Sequence, residues 1–204
     1  MPTPTIILHG THLSGHTHRV QLLLRMLKLP FTFAEAGADV RQSAAFRALN
    51  PMGQIPVLQD GELTLADSDA ILVYLCKRYA PGSNWLPEDA VGAAQVQRWL
   101  SVSAGEIRFG PAHARAIAQW KAPGDPAQAV AIAQRLLAFM ESHLAERSFL
   151  AAQHATIADL ACYSYIAHAP EGGVALNAYP AINAWLARVE ALHDFVAMPA
   201  SALP

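Results

Sequence analysis

Hydrophobic and polar positions follow one rhythm before residue 80 and another after it. "TIILH" (5–9) has the unbroken apolar character of a buried strand. The next segment sets Val20, Leu23, Leu24 and Leu27 at i, i+3, i+4 and i+7, one face of a helix. "FTFAEA" (31–36) predicts a second strand and "SAAFRAL" (43–49) a short helix. "IPVLQDGELTLAD" (55–67) holds two β runs around Asp60-Gly61, a pair that favours the tight turn of a hairpin. "SDAILVYLCKRY" (68–79) predicts a closing helix, so residues 1–79 read βαβαββα.

"APGSNWLPED" (80–89) is rich in turn formers and reads as a linker. Beyond it only helical patterns occur, at about 90–119, 126–146, 157–168 and 180–192. The fold class is therefore α/β plus all-α, with residues 90–204 forming a helical domain. Pro111 should kink the first of these helices. "TIADL" (156–160) is a capping box, in which Thr156 and Asp159 each satisfy an amide at the helix start. That pattern marks Asp159 as a buried structural carboxylate, not a catalyst.

Composition narrows the function classes. Hydrophobic residues make up 53% of the chain and charged residues 15%, the balance of a folded globule. Fourteen basic residues face sixteen acidic ones without a basic run, which argues against a nucleic-acid partner. No apolar run approaches the ~18 residues of a membrane span. "MPTPTIILHG" lacks a cationic start followed by a long apolar stretch, so a cytoplasmic location is expected. Cys76 and Cys162 have no Cys-x-x-Cys partner and sit in helical patterns, which predicts buried, reduced thiols.

The conspicuous stretch is "HGTHLSGHTHR" (9–19), with His9, His12, His16 and His18. Their spacings of three, four and two form no closed zinc pattern, and no cysteine or acidic residue joins them, so no metal is expected. One or two should line a pocket and keep it electropositive, with Arg19 adding to the field and the others solvated. Ser14 stands at the mouth of the first helix. Asp67 and Ser68 stand at the start of another, where such residues cap the helix and where free amides suit a carboxylate ligand. No Gly-x-Ser-x-Gly elbow is present, so Ser14 is not a hydrolase nucleophile.

Taken in order, "LSGHTHRVQLLL" (13–24), "NPMGQIPVL" (50–58), "DSDAI" (67–71) and "TIADLACY" (156–163) resemble the cytosolic glutathione transferases, with bacterial and serine-type members nearest. The likeness runs through essentially the whole chain. It implies a thioredoxin-like first domain, a homodimer, and glutathione as co-substrate without a metal. It also implies that Ser14 is the catalytic hydroxyl, donating to the glutathione sulfur, with Thr17 in reserve. Ser14-Gly-His-Thr17 stands where glutaredoxin-like relatives carry Cys-x-x-Cys, so dithiol redox chemistry has no protein sulfur to use. His9 ends the first strand, near which other members carry a tyrosine.

For glutathione itself the resemblance implies a cis Pro56 that turns the main chain of Ile55 toward the cysteinyl unit, with Gln54 in support. Asp67 would take the γ-glutamyl ammonium, Ser68 its carboxylate, and Arg41 the glycyl carboxylate. Ser103, Ile107 and Gly110 share a helix face and, with Leu13, are expected to border an apolar electrophile pocket between the domains. The same face suits core packing or a dimer contact equally well. The implied reaction is conjugation of the thiolate to a hydrophobic electrophile. The alternatives are a glutathione-dependent peroxidase, isomerase or dehalogenase, or a non-catalytic scaffold.

Overall fold

In the computed structural model, residues 5–201 and 203 are described, and they form two compact units. The first comprises the chain up to Pro81 together with His193–Pro199. It begins with β1 (Ile6–Gly10), α1 (Gly15–Met26) and β2 (Phe31–Glu35). Strands β1 and β2 pair in parallel, with Ile6 opposite Phe31, a pairing that requires a crossover such as α1. Next come α2 (Ala38–Gln42), α3 (Ala44–Leu49), β3 (Val57–Asp60), β4 (Leu63–Ala66) and α4 (Ser68–Tyr79). The sheet order is β2-β1-β3-β4, with β3 antiparallel to both neighbours.

The apolar spacing seen in the sequence fills this unit's core. Ile6 and Leu8 of β1, Val57 and Leu58 of β3, Leu22, Leu23 and Leu24 of α1, and Ile71, Leu72 and Leu75 of α4 are all buried. Asp60, at the end of β3, accepts hydrogen bonds from the hydroxyls of Tyr74 and Tyr79, which fastens α4 to the hairpin. One helix was not legible in the pattern. Ser43 is extended, ends α2 and begins α3, and its hydroxyl accepts from the Phe46 amide at 3.2 Å.

The second unit comprises Gly82–Leu192 and the residues from Ala200 onward. Where the pattern predicts one helix over 90–119, the chain forms α5 (Ala90–Val102), a π-helical stretch (Ser103–Ala112) and α6 (His113–Trp120). Pro111 lies inside the π-helical stretch and has no amide to donate; the irregularity expected there takes the form of wider turns. Helices α7 (Pro126–Leu144), α8 (Ile157–Ala167) and α9 (Pro180–Glu190) follow.

The capping box forms at α8. Asp159 accepts from the amides of Leu150 and Thr156 and from the Trp185 indole, each at 2.9 Å. Burial pushes the Asp159 carboxyl up despite those hydrogen bonds. Residues 193–199, which the sequence pattern groups with the helical half, belong to the first unit instead. Buried His18 reaches the Val196 carbonyl there at 2.7 Å.

Candidate functional site

The site is built where α1 and α4 begin. Ser14 is the N-cap of α1, and its Oγ accepts from the Thr17 amide at 3.3 Å. Because the cap bond uses an oxygen lone pair, the hydroxyl proton is left free to point outward. Ser14 is half-buried, so that proton is within reach of a ligand. Thr17 is fully buried, and a Cβ added to Gly10 would lie 2.3 Å from its Cγ2, so its side chain fills the space above the β1 backbone. Its Oγ1 has no partner among the described residues. Of the two side chains, that of Thr17 is fully buried and Ser14 retains partial exposure.

At α4, Asp67 is the N-cap and accepts from the amides of Asp69 at 2.9 Å and Ala70 at 3.0 Å. Its φ of +75° lies in the region that side chains rarely adopt, a conformation worth about 1–3 kcal/mol of strain and typical of functional positions. Asp67 is exposed, whereas Ser68 is buried. Ser68 Oγ accepts from Arg19 Nη1 at 3.2 Å and lies 3.4 Å from His16 Nδ1. Arg19, expected to supply a positive field, is instead committed to an ion pair with Asp69 at 2.7 Å. These contacts bring the first turns of α1 and α4 together.

A third piece is the turn before β3. The Ile55-Pro56 bond is cis, Pro56 is buried, and Ile55 packs against the cluster of Ala36, Phe46 and Val57. Asn50 holds this turn, donating to the Gln54 carbonyl at 2.8 Å and accepting from the Met52 amide at 3.1 Å. Its role was not foreseen, although an Asn directly before Pro51 is a turn signal. The Gln54 side chain lies on an exposed residue. Arg41 sits on α2, half-buried, and its Nε has no hydrogen-bond partner among the described residues.

The four histidines go to four separate partners. His9 meets the Gln59 side chain at 2.7 Å, and exposed His12 stacks on Phe33 with ring centroids 4.4 Å apart. His18 is bound to the Val196 carbonyl, and His16 lies 3.4 Å from Ser68 at the start of α4. Among the described residues no group of three His, Cys, Asp or Glu side chains is placed to hold a metal ion. Cys76 is buried, and that burial pushes its thiol up to about 12, the state of an inert sulfur.

Three of the residues expected to border an electrophile pocket lie in the helical unit. Ser103, Ile107 and Gly110 are all buried. Ser103 Oγ donates to the Ala161 carbonyl of α8, and a Cβ on Gly110 would lie 2.9 Å from the Ala133 amide nitrogen of α7. The close crossing of α7 leaves no room for a side chain at Gly110. Leu13 is half-buried beside Ser14 in the first unit.

Both halves of the chain resemble known proteins. Residues 8–84 match the glutathione S-transferase N-terminal domain, and residues 118–193 match the glutathione S-transferase C-terminal domain. The chain is 32% identical over 161 residues to glutathione S-transferase theta-2 of Mus musculus, which covers 73% of this chain and 65% of the relative. It therefore spans just under two thirds of that relative's length. A glutathione S-transferase structure from Xanthobacter autotrophicus Py2 superposes with a TM-score of 0.88 at 30% identity, covering 96% of this chain and 97% of that one. A theta class enzyme from Xanthomonas axonopodis pv. citri, solved with glutathione bound, superposes with a TM-score of 0.82 at 26% identity, covering 94% and 95%.

Proposed function

The chain belongs to the glutathione S-transferase family, and from that premise we propose that it binds glutathione in its first unit and conjugates the thiolate to apolar electrophiles. The observation that carries the reading is the capped hydroxyl of Ser14. Its oxygen accepts from the Thr17 amide, and the half-buried side chain stands at a helix N-terminus with its hydroxyl proton available to donate. A thiol with an ordinary pKa of about 8.5 is mostly protonated at neutral pH; a donated hydrogen bond and the helix end both favour its thiolate. Ser14 keeps its own proton throughout and acts as a donor.

The rest of glutathione falls to groups already assembled. Ser68 and the free amides of α4 would receive the γ-glutamyl carboxylate, and the exposed Asp67 carboxylate its ammonium. The main chain of Ile55 would pair with the cysteinyl unit, Gln54 supporting the turn, and Arg41 would take the glycyl carboxylate. Apolar electrophile contact falls to Leu13, next in chain to Ser14. With an activated aryl chloride, the thiolate forms the carbon–sulfur bond and chloride leaves with the electron pair. Holding both reactants together supplies most of the rate.

We also propose a homodimer in a reducing cytosol, a compartment suited to two free, buried cysteines. Sedimentation would test the former. Retention on immobilised glutathione, with thioether formation from an aryl chloride, tests the central reading; a chain that neither binds glutathione nor forms thioether is a scaffold.

A further inference from the structure

The turn of α1 that carries Ser14 is tied to the far end of the chain. The His18 amide closes that turn by donating to the Ser14 carbonyl at 2.9 Å. The His18 ring is buried and places Nε2 2.7 Å from the Val196 carbonyl oxygen. A carbonyl oxygen only accepts, so Nε2–H is the donor and the direction of this bond is fixed. Val196 belongs to the segment His193–Pro199, which joins the first unit although the chain on either side of it belongs to the helical unit. The segment turns at Asp194, whose φ is +58°. Residues 195–199 form neither helix nor strand, so their main-chain groups have no ladder to fill and depend on bonds of this kind. Phe195 meets the His18 ring edge-on with centroids 6.4 Å apart, and Met198 is buried. The segment is a strap fastened to α1.

We propose that this strap holds Ser14 in place for the glutathione sulfur, with His18 as the positioning residue through which it acts. The inference rests on the reading of Ser14 as the donor to the thiolate. A hydrogen bond weakens steeply with misalignment, so the thiolate senses a displacement of the turn that carries its donor. Irregular segments open locally at low free-energy cost, and here the bond to Val196 and the burial of Met198 oppose opening. The coupling is reciprocal: a closed strap favours the bound thiolate, and the bound thiolate favours a closed strap.

The test compares two substitutions in the full chain. Glutamine places a side-chain amide near the position of Nε2 and keeps the donor, whereas methionine keeps the length and has none. The thiol pKa of bound glutathione is read by ultraviolet difference titration in wild type, His18→Gln and His18→Met. Calorimetry gives the affinity of each for S-methylglutathione, which has no thiol to ionise. The expected pKa is close to wild type in His18→Gln and about half to one pH unit higher in His18→Met, about a three- to tenfold shift toward the thiol. Affinity for S-methylglutathione should be the same in all three. In the wild type, amide hydrogen exchange across residues 195–198 should be slower with glutathione bound than with S-methylglutathione. Equal pKa values in all three proteins, or an equal rise in both variants, overturn the role of His18. So does an equally large loss of S-methylglutathione affinity in His18→Met, because the substitution would then have disturbed the site as a whole. Should His18→Met not fold, the wild-type exchange decides, and a strap that glutathione leaves unprotected overturns the proposal. A wild type that binds no glutathione defeats the transferase reading itself, and the inference falls with it.

Discussion

Arg19 Nη1 donates to Asp69 Oδ1 at 2.7 Å while also reaching Ser68 Oγ at 3.2 Å, so one buried guanidinium ties the starts of α1 and α4 together. The Arg19 side chain is 1% exposed and that of Asp69 13%. A charge so buried must stay paired. Removing one partner strands the other, at a cost of about 3 kcal/mol or more. Asp69→Ala is therefore expected to lower stability by that amount in urea unfolding and to weaken glutathione binding. The double variant Arg19→Met/Asp69→Ala should recover much of the stability and none of the binding. Recovery of both would show that the pair serves packing alone.

Thr17 and Gly10 test the choice between two hydroxyls. Replacing Thr17 by valine keeps its shape and removes a buried oxygen that lacks a partner among the described residues. The variant should equal or exceed wild-type stability by up to about 1 kcal/mol, and the pKa of bound glutathione should not move. Gly10→Ala is the opposite case. Its Cβ would lie 2.3 Å from Thr17 Cγ2, and the resulting displacement of α1 should cost about 2 kcal/mol. Thermal unfolding of both variants checks the pair.

The helical unit carries its own pH dependence. Burial alone would raise the Glu171 carboxyl, but hydrogen bonds from Arg115, His168 and the Ser201 amide outweigh it and hold the group below its ordinary 4.5. A depressed carboxylate contributes stability above its unfolded pKa, and that contribution is lost as pH falls through the folded value. Wild-type stability should therefore drop below about pH 4.5. Glu171→Gln should be less stable at pH 7 and show a shallower loss over the acid range. An unchanged acid slope in the variant would assign the dependence to other carboxylates.

Much of this protein is readable from local pattern, because its local signals agree with its tertiary structure. The i, i+3, i+4, i+7 spacing of Val20, Leu23, Leu24 and Leu27 predicts a helix that does bury Val20, Leu23 and Leu24. The Asp60-Gly61 pair lies at the β3–β4 turn, where Gly61 has a φ of +58°. The role of Arg19 was not readable. Nothing local distinguishes a field-setting arginine from one whose partner lies 50 residues away. The surroundings of Ser103, Ile107 and Gly110 were not readable for the same reason. Small and aliphatic residues suit an open pocket and a close helix crossing equally, and the approach of α7 to Gly110 is visible only in the fold. The histidine stretch shows the converse, since four like residues close in sequence separate to four environments once strand and helix set their directions.

The account depends most on the proton of Ser14, and the pKa of the bound glutathione thiol reads it directly. An ultraviolet difference titration of thiolate absorbance against pH is made for wild type and Ser14→Ala, both saturated with glutathione. The wild type should show a pKa below the ordinary 8.5 or so, and the variant a rise of about one pH unit or more, each unit being about 1.4 kcal/mol of thiolate stabilisation. A depressed pKa that stays in place in Ser14→Ala would contradict the assignment and leave the stabilisation to the helix terminus and its histidines.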